Sequence, residues 1–177
     1  MNLYNRLSNL ESTELLNKSK EDRLTLSFYK YFKIDNLIIF RNYLFSSFSK
    51  IGVLGRIYVA NEGINAQLSL PKKQLSSFET KLDEIEPMKG IRLNFAIKHN
   101  LKSFLKLKIK VRNQIVADGI SDKKFDPTNV GKHVDAIEFN NILSEKETLC
   151  VDMRNHYESE IGKFIGAITP NVDSFKE

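Results

Sequence analysis

From Leu24 to Ile34 the chain is rich in aromatic residues and alternates roughly between apolar and polar positions, which predicts a β-strand. Asp35 stands where a helix N-cap is expected. Leu37, Phe40, Leu44, Phe48 and Ile51 then recur at helical spacing until Gly52 ends the pattern. Residues 53–60 read as a second strand. A short turn, Asn61-Glu62-Gly63, joins it to an alternating third strand over 64–70, so the pair predicts a β-hairpin. Pro71 suits the first turn of a second helix with the apolar stripe Leu75, Phe78, Leu82 and Ile85, closed by Pro87 and Gly90. Residues 91–97 alternate again as a fourth strand.

This order, β-α-β-β-α-β, predicts an α+β ferredoxin-like domain with both helices on one sheet face and the other face open. A further strand follows at 104–112. Leu105, Leu107, Ile109 and Val111 point to one side, and Lys106, Lys108, Lys110 and Arg112 to the other. Asp118-Gly119 reads as a turn. Beyond it the sequence is polar, with Asp126-Pro127 and a short helix expected near Glu138–Leu143. Leu149–Asp152 predicts a short buried strand, and Asn155 and Glu158 hold the N-cap and N3 positions of a capping box. The expected divisions are a flexible lead-in or short loose helix over 1–22, the ferredoxin-like domain over 23–120, a connector over 121–147 and the start of another unit over 148–177.

Charge adds an asymmetry. Residues 1–120 carry 20 Lys and Arg against 11 Asp and Glu, a net +9, while residues 121–177 carry 7 against 11, a net −4. A basic surface attracts nucleic acid by neutralising phosphates and releasing counterions; a generally lysine-rich composition is the plainer reading. No apolar run approaches the ~20 residues needed to span a bilayer. The start of the chain lacks the blocks of a signal peptide, and the single cysteine cannot form an internal disulfide. A cytoplasmic protein is expected.

The Lys106–Arg112 stripe spaces four cations at ~6.6 Å intervals along one strand face. No acidic residue interrupts the sequence between Lys98, Lys102 and Arg112. RNA phosphate is the natural partner of such a row, and an edge strand guarded by lysines is the alternative. Tyr58, Asn61, Glu62 and Asn65 gather near the hairpin tip. Tyr58 has the chemistry to stack on an unpaired base, and Asn65 to read a base edge; ordinary turn chemistry also explains Asn61 and Gly63. Arg56 is a phosphate ligand or a surface charge. Asp152 and Arg154 stand at the carboxyl end of the expected strand, where ligands bind in open α/β sheets; a salt bridge bracing the loop that follows, with Asn155 and Glu158 in support, is the favoured reading. His99, His133 and His156 lack metal-ligand spacing, and no Cys-x-x-Cys, Gly-x-Gly-x-x-Gly or P-loop motif is present, so no metal and no cofactor is expected. Cys150, inside an apolar strand, reads as a small inert hydrophobe.

Three segments carry a family resemblance. Residues 56–67 (Arg-Ile-Tyr-Val-Ala-Asn-Glu-Gly-Ile-Asn-Ala-Gln) form the first. Residues 104–112 with Ile115–Gly119 form the second. Val151–Glu158 with Ile161–Ile168 form the third, which resembles the opening of a rhodanese domain. Together they are similar to the bacterial tRNA uridine hydroxylases. That resemblance implies hydroxylation of the wobble uridine to 5-hydroxyuridine, with molecular oxygen as co-substrate and the tRNA anticodon arm as partner. It also implies that the catalytic cysteine lies on a loop beyond Glu177. The alternatives are a tRNA-binding chain that does not react, or a rhodanese-type sulfurtransferase.

Overall fold

The computed structural model describes residues 3–19, 21–97, 103–116, 126 and 129–172. The chain divides into two units, Met1–Val116 and Ala117–Glu177. The first contains α1 (Asn9–Ser19), β1 (Arg23–Tyr31), α2 (Leu37–Lys50), β2 (Leu54–Ala60), β3 (Gly63–Pro71), α3 (Leu75–Asp83), β4 (Asn94–Phe95) and β5 (Leu107–Val111). Its strands form one sheet in the order β4-β1-β3-β2-β5. The β2–β3 hairpin places β3 between β1 and β2, antiparallel to both, while β4 pairs antiparallel with β1. This is the ferredoxin-like arrangement. β5 is the addition, lying parallel to β2 at the sheet edge.

Alternation decides the two faces. Leu26 and Phe28 of β1, Ile57 and Val59 of β2, Ile64, Ala66 and Leu68 of β3, and Leu107 and Ile109 of β5 share one buried cluster. Leu44 and Phe48 of α2 and Phe78 and Leu82 of α3 complete it. The Phe78 ring meets Phe28 at 6.2 Å and Phe48 at 5.1 Å between centroids. Each such buried ring contributes ~1.5–3 kcal/mol from its area alone, so this trio ties both helices to the sheet.

Arg23 closes one end of the opposite face. Its side chain is buried, and it donates to the Gly52 carbonyl (2.7 Å), the Ser69 carbonyl (2.9 Å) and Ser69 Oγ (3.2 Å). Burial lowers its pKa, opposed by Glu21. These bonds hold β1, β3 and the turn after α2 together. Replacing Arg23 with Met is expected to cost about 2 kcal/mol, because the carbonyls it serves lose a charged donor. Urea unfolding of the two proteins checks this.

Several expectations shift in detail. Asn36, not Asp35, caps α2: its Oδ1 accepts the Ile39 N–H at 3.0 Å, and only the residue three positions before that N–H is placed to do so. Asp35 instead pairs with Lys33 at 3.1 Å. Pro71 ends β3 and precedes a single 3-10 turn over Lys72–Gln74, so α3 starts only at Leu75. The fourth strand contracts from 91–97 to Asn94–Phe95, although the Ala96 N–H still donates to the Thr25 carbonyl at 2.9 Å. The fifth contracts to Leu107–Val111, with pairing carried one residue further at each end by the Lys106 carbonyl and the Arg112 N–H. The 1–22 lead-in contains a helix, α1, started by a reciprocal cap. The Ser8 hydroxyl accepts the Glu11 N–H, and the Glu11 carboxylate accepts the Ser8 N–H.

In the second unit, α4 (Ala136–Leu143) is capped by Asp135, and α5 (His156–Ile161) by the Asn155/Glu158 capping box. The expected buried strand at Leu149–Asp152 is a single parallel bridge between Val151 and Ile168. Leu149 and Val151 are exposed there and Cys150 is half-buried. A strand reads as buried only where layers cover both its faces, and the described residues give it one pairing partner. Phe139 of α4 packs on Phe164 at 4.8 Å. The Asp118-Gly119 turn, Pro127, Lys98, His99 and Lys102 lie outside the described residues.

Candidate nucleic-acid interface

The face of the sheet away from α2 and α3 is built by the positions that alternate with the core. Register sets its rows. Ser27 of β1, Gln67 of β3, Arg56 of β2 and Lys108 of β5 lie side by side in one row. Tyr29, Asn65, Tyr58 and Lys110 lie side by side in the next. Sequence reasoning therefore picked residues that the fold gathers: Arg56, Tyr58, Asn65, Lys108 and Lys110 occupy two adjacent rows. Lys106 and Arg112 flank the strand on the same side by alternation.

The two ends of the stripe differ. Lys108 and Lys110 are exposed, whereas Lys106 is half-buried and contributes to holding the Glu11 carboxyl below the usual range, after the stronger effects of the Ser8 backbone and hydroxyl. Arg112 turns back over the sheet, its guanidinium 5.4 Å from the centre of the Tyr58 ring. A cation at that distance uses the ring's face, so Tyr58 is a support for Arg112 rather than an open stacking surface.

Beyond Arg112 the chain crosses from the β5 edge towards β3 as a strap. The Ile115 N–H donates to Glu62 Oε1 at 2.7 Å, and Asn65 Nδ2 donates to the Ile115 carbonyl at 3.1 Å. Ile115 itself is only 2% exposed. Asn65 thus anchors a backbone segment, and its Oδ1 accepts from Gln67 Nε2 at 2.7 Å. Asn61 is likewise engaged, donating to the Ile34 carbonyl at 3.2 Å. The turn residues Asn61 and Glu62 and the amide of Asn65 are structural ties, which the sequence alone left undecided for Asn65.

The strap covers the Tyr58–Asn65 row, and Arg23 and Ser69 are buried at the other end of the face. Between them Gln67, Arg56 and Lys108 stay exposed. Tyr29 is exposed as well, at 57%, and was not singled out from sequence. The signal was available in β1, where Thr25, Ser27, Tyr29 and Tyr31 alternate with Leu24, Leu26 and Phe28. The open row presents two cations and an amide, the donor set for a phosphate backbone and a base edge.

In the second unit Asp152 and Arg154 meet as expected. Arg154 Nε donates to Oδ1 at 2.9 Å and Nη2 to Oδ2 at 2.6 Å, while Nη2 also reaches the Gly162 carbonyl at 2.7 Å. The Asp152 side chain is 8% exposed, and hydrogen bonds from Arg154 lower its pKa to about 2. A carboxyl depressed in the folded state stabilises above its ordinary value near ~4 and loses that contribution as pH falls through the folded value. The brace is therefore expected to contribute fully above about pH 4 and to fade as pH falls towards about 2. The Asp152 carboxyl resonance is expected to titrate near 2, returning towards ~4 in Arg154→Ala; NMR pH titration checks both. Asn155 and Glu158 complete this brace at the start of α5. Phe139, Leu143, Cys150, Met153 and Phe164 line an open apolar cleft beside it. Among the described residues no group of three or more His, Cys, Asp or Glu side chains is arranged to hold a metal ion.

The first unit is thus a ferredoxin-like α+β domain whose open sheet face is basic towards the β5 edge. The family model described as the UPF0176 acylphosphatase-like domain matches residues 23–115, and the chain belongs to that family. Among curated relatives, a Leptospira interrogans protein is 47% identical over 175 residues, covering 97% of this chain and 48% of the relative. A Photorhabdus laumondii protein is 46% identical over 176 residues, covering 99% of this chain and 50% of the relative. One from Yersinia enterocolitica is 47% identical with the same coverage. All three are named tRNA uridine(34) hydroxylase. The chain spans about half the length of these relatives.

Proposed function

We propose that this chain is the substrate-binding part of a tRNA wobble-uridine hydroxylase. The observation that carries the reading is the row of exposed Arg56 and Lys108, joined by Lys110, on the sheet face away from α2 and α3. Four neighbouring cations, counting Lys106, repel one another and gain most from a polyanion laid across them. The relatives' names supply the polyanion, a tRNA, and the position, uridine 34. Anticodon-loop bases are already unpaired, so presenting one for reaction needs little unstacking.

In this reading the product is 5-hydroxyuridine and molecular oxygen the co-substrate. The second unit opens a rhodanese-like domain, and the reacting cysteine belongs to a part of the longer relatives that follows. No cofactor is assigned and the setting is the cytoplasm. The direct test is mass spectrometry of tRNA from cells lacking the gene. Loss of 5-hydroxyuridine, restored by the gene, is the expected result; an unchanged level would end the proposal.

Cys150 favours a second, narrower reading for this chain in isolation. It is the single cysteine of the sequence, and its carbonyl accepts the Ile168 N–H at 2.8 Å within the bridge. On that reading the purified chain binds tRNA without reacting, and Cys150→Ser leaves tRNA binding unchanged. Filter binding of the variant, alongside nucleoside analysis of the incubated tRNA, distinguishes the two.

A further inference from the structure

We infer that Tyr29 is the stacking platform for an unpaired nucleobase, with Gln67 reading that base's edge and Arg56 and Lys108 holding the adjoining phosphates. This rests on the RNA-binding reading above and adds a nucleotide site to it.

The position of Tyr29 carries the argument. It lies on β1, paired with Asn65 of β3 on one side and two residues past the short β4 pairing at Leu26 and Ser27 on the other, so its exposed ring stands on the sheet surface beside the margin that β4 leaves open. A large aromatic left more than half exposed on a strand gains area from any flat apolar partner laid on it. Tyr31 braces it from the side, ring centroids 6.4 Å apart and nearly perpendicular, which steadies the ring by its edge. Tyr58, the other aromatic in the same row, already carries Arg112 across its ring.

The surroundings select the kind of partner. Among the described residues, the only hydrogen bond of the Gln67 side-chain amide is the one its Nε2 donates to Asn65. Its carbonyl oxygen and second N–H are left to pair with a base edge, a geometry that an amide satisfies in both senses. From Gln67 the open row continues through Arg56 to Lys108 at the sheet edge. Adjacent strands are ~4.8 Å apart, so the row from β1 to β5 is ~14 Å long. That length suits a few nucleotides of single strand running from a stacked base to the cationic edge. A duplex presents no free base face to Tyr29 and would meet only the cations.

The test uses the full chain, a fluorescein-labelled anticodon stem-loop RNA, and a blunt RNA duplex of equal charge. Tyr29→Ala is expected to weaken stem-loop binding by about 5- to 150-fold, the usual effect of removing one base–aromatic stack. Tyr29→Phe is expected to stay within about twofold of the parent, since the flat face is kept. Duplex affinity and the dependence on salt are expected to be unchanged in both. The chain has no tryptophan, so Tyr29→Trp places a single reporter at the site, and its fluorescence is expected to be quenched by the stem-loop and not by the duplex. If Tyr29→Ala binds the stem-loop as the parent does, or weakens both RNAs equally, or if the introduced indole is not quenched, the stacking site is wrong. Loss of binding in Arg56→Gln/Lys108→Gln/Lys110→Gln would then still support the RNA-binding face. If that triple variant also binds normally, the face itself has been misread and both proposals fall.

Discussion

Replacing Arg56, Lys108 and Lys110 together by Gln is expected to lower tRNA affinity by about 100-fold or more at 0.1 M salt. Each phosphate neutralised contributes ~0.7–0.9 to the slope of log affinity against log salt, or roughly five- to eightfold per contact at that salt concentration. Loss of three contacts is therefore expected to flatten the slope by about 2 to 3. The three side chains share the outer end of the open face and are exposed, so the variant is expected to fold normally. The competing view is that β5, as an edge strand, carries lysines only to discourage pairing with other chains. That view predicts intact tRNA binding with increased aggregation. Titrations at several salt concentrations, with light scattering on the same samples, separate the two.

The second large effect concerns the β2–β3 hairpin. Gly63 has φ of +149°, and a Cβ there would lie 2.1 Å from the Lys30 carbonyl oxygen and 3.0 Å from Tyr31 Cα. Both are backbone atoms of the paired strand, so nothing flexible can move aside. Gly63→Ala is expected to cost at least about 3 kcal/mol, backbone strain alone being ~1–3. At ~4–8 °C per kcal/mol for a domain of this size, the melting temperature is expected to fall by about 12 °C or more. Gly90→Ala is the control, because its φ is also positive, +64°, but nothing lies within 4 Å of the added carbon. It is expected to cost about 1 kcal/mol. Thermal unfolding of both variants checks the contrast. Glu62 and Asn65, which hold the strap, sit on either side of Gly63, so the damaged hairpin is expected to lose that anchor too.

Much of the fold was legible because the apolar spacing switches cleanly between periods of about two and of 3.6. β1, α2, the hairpin, α3 and β5 all appear where that pattern puts them. The end signals were less secure, since neighbouring residues have similar chemistry: Asp35 and Asn36 both suit a cap, and only geometry picks Asn36. α1 was missed as a firm helix because Leu15 and Leu16 make no apolar stripe, although Ser8 and Glu11 spell its capping box. For the candidate site, strand alternation sufficed to place Lys108 and Lys110 on one side. Beyond the hairpin it gave no information on which strands would be neighbours, and hence none on β5 laying Lys108 beside Arg56. The roles of Asn65 and Tyr58 depended on the strap, whose contacts are long-range and leave no periodic trace. Tyr29 was overlooked because an aromatic in a strand reads first as core.

The parallel pairing of β5 with β2 has a consequence for biosynthesis. Gly55 pairs with Leu107 and Val59 with Val111, so the ribosome completes β2 about fifty residues before its outer neighbour. Elongation at ~5–20 residues per second leaves that flank of the nascent sheet bare for several seconds. Ile57 and Val59 are then unshielded beside free peptide groups. The same late segment that closes the flank also delivers Lys108 and Lys110, so sealing the sheet and acquiring its cationic rim are a single folding event.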